Sequence, residues 1–234
     1  MAEAELEQPT EEKEESNTAE QKTRDTTDKS VEGEEGFDFK LFDIYDVSGI
    51  EIKDPAMKPY INLEPKLLLK SQGRNATEKF GKARVNILER LANRLGTSGH
   101  IGKKHKIMTS WSSGKYNKNM KTVLDALEIV KKETGANPVQ VLVTAVENGS
   151  PRDEITVIEQ GGARYPQAVD SSPARRVDLA IRWMVQGAYG KSFGKKKKMA
   201  VALAEEIIKA SEKNGESYAV QKANEGEKQA DSAR

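Results

Sequence analysis

The stretch Thr134-Gly-Ala-Asn-Pro-Val-Gln-Val-Leu-Val-Thr-Ala-Val-Glu-Asn-Gly149 decides the fold class. The Asn137 side chain can accept from the first free amides of a helix, and a proline at the first helical position gives up no hydrogen bond. Val139, Leu142, Val143 and Val146 recur at helical spacing until Asn148-Gly149 ends the run. The helix is apolar nearly all round, which predicts a central place in a helical body.

The same spacing recurs on either side. Upstream, Val85, Leu88, Leu91, Ala92 and Leu95 form one apolar stripe closed by Gly96. Met120, Val123, Leu124, Leu127 and Val130 form a second, on a helix from about Asn117 to Thr134 with Gly135 behind it. Further upstream, Phe37, Phe39, Leu41, Ile50 and Ile52 alternate with polar residues, which predicts short extended segments before the turn at Asp54-Pro55. Downstream, Ile155, Val157 and Tyr165 flank Gly161-Gly162, the signature of a β-hairpin. Ser172-Pro173 repeats the cap-then-proline device and opens a helix through Val177, Ala180, Ile181, Met184 and Ala188. Met199, Ala202, Leu203, Ile207 and Ile208 mark another, and a weaker one follows Ser217. The expected fold is mainly α: a bundle of about six helices interrupted by one hairpin.

Charge is sorted along the chain. The 234 residues carry 38 Lys plus Arg against 37 Asp plus Glu, a net charge of +1. Residues 1–36 hold thirteen acidic and four basic groups, net −9, so the remainder carries +10. Few large apolar side chains occur in that acidic stretch, too few to offset about 1 to 2 kcal/mol of backbone entropy per residue, and it reads as a disordered tail. Residues 37–234 then form a single domain. Within it, Lys66 to Lys118 carry thirteen basic residues against Glu78 and Glu89, and Arg164 to Lys198 carry nine against Asp170 and Asp178. Two such bands on one body, with Asn75, Asn86, Asn93, Asn117, Asn119, Ser98, Ser110, Ser112 and Ser113 in reach, point to a nucleic-acid backbone. Trp111 and Tyr116 either pack or stack on unpaired bases.

Other chemistries are poorly served. With no cysteine there is no disulfide framework, thiolate metal site or cysteine nucleophile. His100 and His105 stand among lysines with no carboxylate between Glu89 and Asp125, so no metal is expected. Gly102-Lys103 and Gly114-Lys115 lack the first glycine and the Ser or Thr of a phosphate-cradling loop. Asp153 with Glu154, and Glu205 with Glu206, are adjacent pairs that point apart and are expected to be solvated. The expectation is no enzyme and no cofactor. The longest stretch free of charged side chains runs from Thr134 to Val146, short of a bilayer span of roughly 20 residues. With no basic leader, a soluble cytoplasmic protein without membrane partners is expected.

The order of Thr134 to Asn148, Pro151-Arg152, Gly161-Gly-Ala-Arg-Tyr-Pro-Gln-Ala-Val-Asp170 and Ser172-Pro-Ala-Arg-Arg-Val-Asp-Leu-Ala-Ile-Arg182 closely resembles the universal ribosomal protein seven family of the small subunit. Asp54-Pro55, Tyr60-Ile61 and Glu89-Arg90-Leu91 resemble its archaeal and eukaryotic branch, and the resemblance runs from about Lys40 to Arg234. It implies a structural constituent of the small ribosomal subunit that binds the 3′ major domain of the rRNA and helps nucleate assembly of the head. It also implies a hairpin beside the exit-tRNA site and the mRNA exit path, near the platform protein eleven and neighbouring head proteins. Carried over by position, the hairpin is about Arg152 to Gln167 with its tip at Glu159 to Gly162, and Arg152, Gly161, Gly162 and Arg164 would face tRNA and mRNA. Arg175 and Arg176 match the paired arginines of the family, while Lys115, Lys118 and Lys121 fall in its basic loop and helix start. Tyr116 departs from the family pattern, and an extra basic segment at about Gly99 to Ser113 precedes it. Lys79, Lys82, Arg84, Lys103, Lys104, Lys106, Lys195, Lys196, Lys197 and Lys198 complete the expected rRNA-binding set. The runner-up is an RNA-binding or RNA-chaperone protein acting off the ribosome.

Overall fold

The computed structural model describes residues 40–101 and 112–234. The expected tail at 1–36, together with Phe37, Phe39, Lys103, Lys104, His105, Lys106, Ser110 and Trp111, lies outside the described residues. Among the described residues six α-helices and one hairpin follow an irregular lead-in: α1 Ile87–Leu95, α2 Tyr116–Thr134, α3 Pro138–Asn148, β1 Asp153–Gln160, β2 Ala163–Asp170, α4 Pro173–Ser192, α5 Met199–Ser211 and α6 Tyr218–Ser232.

Local chemistry sets the ends of these elements. Asn86 and Asn137 accept from the amides of Leu88 and Val139, both at 3.0 Å, and Ser217 accepts from Val220. Gly135 closes α2 in the left-handed region at φ 67°, where a side chain would be strained. Ser172 departs from expectation. It occupies the N-cap of α4 but makes no side-chain cap bond, so Pro173 alone preorganises that first turn.

The helices bury one continuous core, and the large side chains Leu88, Leu91, Leu127, Leu142, Met184, Leu203 and Ile207 within it are fully enclosed. Each contributes about 1.5 to 3 kcal/mol relative to exposure. No residue of α3 is exposed, in keeping with its apolar reading. The most connected helix, however, is α5, which packs against α2, α3, α4 and α6. Its buried Ala202, Ala204 and Ala210 keep its girth small enough for neighbours to close around it.

The adjacent acids of α5 also correct the sequence reading. Glu206 is fully buried rather than solvated. Its carboxylate accepts from Lys191 Nζ at 2.6 Å, Ser217 Oγ at 2.8 Å and the Ala219 amide at 3.2 Å, tying α4, α5 and the start of α6 together. Gly187 makes room for it, since a Cβ there would stand 2.6 Å from Tyr218 Cβ and 3.1 Å from Glu206 Cδ. Glu205 instead pairs with Lys197.

The extended segments expected before Asp54 are not strands. Leu41 and Tyr45 make one isolated bridge, with Phe42 and Asp43 at positive φ between them, and Ile50 and Ile52 pack partly buried against the core. The alternation reflects a coil dropping apolar side chains onto the helices. Side chains hold the lead-in down: Glu89 accepts from the Ser71 amide and hydroxyl at 2.8 and 2.6 Å, and Asn86 Nδ2 donates to the Glu64 carbonyl at 3.1 Å.

Candidate nucleic-acid interface

The hairpin is a two-stranded antiparallel ribbon in which Gln160 faces Ala163, and Gly161 and Gly162 form the turn at φ 60° and 84°. Both turn residues have positive φ, the requirement that makes glycine pairs favourable in two-residue hairpins. The second strand extends three residues beyond the expected end, to Asp170. Its base is clamped: Arg234 pairs with Asp153 at 2.6 Å, Arg175 with Glu154 at 2.6 Å, and the Arg152 amide donates to Glu227 at 3.0 Å. Beyond the base, Val157, Ile158 and Tyr165 are exposed. A ribbon that satisfies its own backbone bonds can hold this position without a covering layer.

The basic residues divide by what they touch. Lys79, Lys82, Arg84, Lys115, Lys118, Lys121, Arg152, Arg164, Lys195, Lys196 and Lys198 have exposed side chains, whereas Lys197 is half-buried against Glu205. Arg84 reaches Glu78 at 2.6 Å and Arg164 reaches Glu159 at 3.5 Å, both surface pairs worth little against a phosphate. The Lys118 ammonium is held below its usual range by desolvation and by the charge of Lys115. Arg175 and Arg176, expected as a matched pair, part company. Arg175 is over half exposed, while Arg176 is only 11% exposed and braces the fold through Asp54 at 2.9 Å and the Ser150 hydroxyl at 3.3 Å.

Several polar residues of the bands also work inward. Asn86, Asn119 and Ser98 are buried, Asn86 as a helix cap and Asn119 through a 3.0 Å bond to the Ser112 carbonyl. Tyr116 is half-buried and its hydroxyl donates to the Leu69 carbonyl, so packing is its role. Burial, with a smaller contribution from the charge of Glu89, pushes that phenol above its ordinary pKa.

The fold brings the two bands together in space. Lys118 of the first and Lys197 of the second line one cleft of about 380 Å³ with the exposed Phe193 at its edge. At the seam of α1 and α4 a smaller cleft of about 240 Å³ is lined by Lys82, Arg90, Arg94, Asp178 and Arg182. Asp178 accepts from Lys82 and from Arg90, each at 2.7 Å. Arg94 and Arg182 were not singled out by the sequence. Their signal was the spacing of four that sets Arg94 one turn beyond Arg90, and Arg182 one turn beyond Asp178. Among the described residues no cluster of acids and histidines could hold a metal ion, and no helix is long and apolar enough to cross a membrane.

Comparison with known proteins fits this arrangement. Residues 65–234 match the family described as ribosomal protein S7p/S5e. The small ribosomal subunit protein uS7 of Nanoarchaeum equitans is 50% identical over 195 residues, covering 83% of this chain and 98% of the relative. Its counterpart in Methanosphaera stadtmanae is 43% identical over 195 residues, with the same coverage, and that of Archaeoglobus fulgidus 41% over 194 residues, covering 83% of this chain and 94% of the relative. The archaeal resemblance read from the sequence therefore holds. With residues 65–234 matched and 83% of its length aligned to such relatives, this mainly helical chain with its clamped hairpin and basic bands belongs to the ribosomal protein S7p/S5e family, as a structural protein and not an enzyme.

Proposed function

We propose that this chain binds the 3′ major domain of the small-subunit rRNA and nucleates assembly of the subunit head. As a member of the ribosomal protein S7p/S5e family the chain is a structural, rRNA-binding constituent of the small subunit of the cytoplasmic ribosome, with ribosomal proteins as neighbours. The observation that carries this proposal is the exposure of Lys79, Lys82, Lys115, Lys118, Lys121, Lys195, Lys196 and Lys198, drawn from both basic bands. Lys103, Lys104 and Lys106 belong to the same proposal. An assembly protein needs many dispersed phosphate contacts more than a pocket, because each neutralised phosphate releases counterions. Lysines from both bands let one rigid body hold separate rRNA segments at fixed distance.

The hairpin takes the second part of the proposal. Arg152 and Arg164 with the Gly161-Gly162 turn lie beside the exit-site tRNA and the mRNA exit path, near protein eleven of the platform. Exposed Val157, Ile158 and Tyr165 offer apolar and aromatic surface to such partners. Chemical footprinting of purified small-subunit rRNA with the full chain should show protections gathered in the 3′ major domain. Protections spread over other domains, or none, would contradict that placement. Shortening the loop between Val157 and Arg164 should leave head assembly intact and lower retention of deacylated tRNA in reconstituted subunits. Failure to assemble would mean that the hairpin braces rRNA instead.

A further inference from the structure

The seam of α1 and α4 holds more positive charge than its carboxylate can satisfy. Arg90 is almost fully buried, giving one nitrogen to the Tyr60 carbonyl at 2.7 Å and another to Asp178. Lys82 takes the other oxygen of Asp178. That leaves Arg94 and Arg182 in the same cleft. Nε and Nη2 of Arg94 are shielded from solvent and have no hydrogen-bond acceptor among the described residues. Arg182 is exposed and makes no ion pair among them. Asn93 and Thr97 complete the rim with neutral polar groups.

Such a constellation is costly in the free protein. A buried guanidinium nitrogen without an acceptor forfeits its hydration, and two like charges across a small cleft repel. Desolvation, and after it the charge of Arg182, outweigh the opposing charge of Asp178 and hold the Arg94 guanidinium below its ordinary pKa. A planar guanidinium presents a fork of donors matched to phosphate oxygens, and two forks from different helices can grip one group from two sides.

From the unpartnered Arg94 nitrogens, the adjoining Arg182 and the cleft between them, we infer that the α1–α4 seam is a seat for one phosphate group. It is fitted to a phosphodiester of the rRNA backbone, and in that part the inference rests on the rRNA-binding function proposed above. Lys82 and Arg90 pair with Asp178, which lines the same cleft, and so offset the one carboxylate that would repel the incoming anion; Lys82 stays largely exposed. The entry of a phosphate supplies the acceptors that Arg94 lacks and so offsets the cost of its unpaired, desolvated donors.

The test uses the full chain with Arg94→Met, Arg182→Met and the double variant, each confirmed folded by circular dichroism. Arg182 is exposed, so its variant reports on the site even if Arg94→Met perturbs the helix. In the first arm, affinity for a small-subunit rRNA fragment is measured against salt. The double variant should bind about tenfold more weakly, and its log–log salt slope should be shallower by about one, the signature of one lost phosphate. Thermal melting of the free double variant should be unchanged or higher, because removing an unsatisfied cation costs nothing. In the second arm, melting in millimolar inorganic phosphate is compared with chloride at equal ionic strength. A rise in the wild type that the double variant lacks, with equal rRNA binding, would keep the phosphate seat but assign it to a free anion. Wild-type behaviour of the double variant in both arms would overturn the inference. A wild-type chain without salt-dependent rRNA binding would instead sink the rRNA reading, leaving the second arm to judge the seat.

Discussion

Two clusters of charge in this molecule obey opposite rules. Around Glu206 a fully buried carboxylate has every oxygen answered, by Lys191, Ser217 and the Ala219 amide. Around Asp178 a half-exposed carboxylate is answered twice over, and arginines remain. The first cluster is closed to any outside partner and can only hold helices together. The second is open and short of anions. A charge inside a fold is informative through its balance: satisfied charge marks architecture, and surplus charge marks a surface that expects a ligand.

Breaking the closed cluster should have the largest effect. Glu206→Ala leaves Lys191, the Ser217 hydroxyl and the Ala219 amide without their acceptor, the kind of loss that costs about 3 to 5 kcal/mol. For a chain of this size that corresponds to a melting temperature lower by roughly 10 °C, read by circular dichroism. The salt slope of rRNA binding below that temperature should be unchanged. A variant that melts normally would show that the buried carboxylate is ornamental.

Next in size is an effect on binding alone. Neutralising Lys195, Lys196 and Lys198 to Gln should leave thermal stability within about 0.5 kcal/mol, since these side chains are exposed. Affinity for rRNA should fall several-fold with a shallower salt slope. Lys197→Gln should do the reverse, losing a little stability through Glu205 and little affinity. Equal effects from both changes would erase the distinction between inward and outward lysines.

The smallest effect is on pH dependence. Burial alone raises the Asp178 carboxyl, but hydrogen bonds from Lys82 and Arg90 and their charges outweigh it and hold the group below the usual carboxylate range. A depressed folded value means that its stabilisation is present above the unfolded value of about 4 and is lost as pH falls through the lower folded value. Urea unfolding of Asp178→Asn and of the wild type should therefore differ at neutral pH and converge only in strong acid. A gap that persists unchanged to the lowest pH at which both still fold would contradict the ion pairing.

Most of the helices were legible because their signals are local. Asn137-Pro138, Gly135 and the stripes of α1, α2 and α4 act within a few residues, and Gly161-Gly162 marks a hairpin by its own backbone demands. The lead-in misled because alternation arises equally from a strand and from a coil lying on a helical surface. Glu206 was illegible because its partners come from the end of α4 and the start of α6, brought together by packing. Of the expected interface, the exposed lysines could be counted from sequence, but their allegiance could not. Nothing in Arg175-Arg176 tells which turns outward to Glu154 and which inward to Asp54. The surplus at Arg94 and Arg182 was spread over two bands and became visible only where α1 and α4 meet.

The outward cations of this chain are expected to hold rRNA phosphates. The most direct measurement is the affinity of the full chain for a 3′ major-domain rRNA fragment across a series of salt concentrations. If about six to ten phosphates are neutralised, log affinity should fall against log salt with a slope of roughly −4 to −9. A slope near zero, at any affinity, would mean that the basic bands are ordinary solvated surface and that the RNA is held by something else.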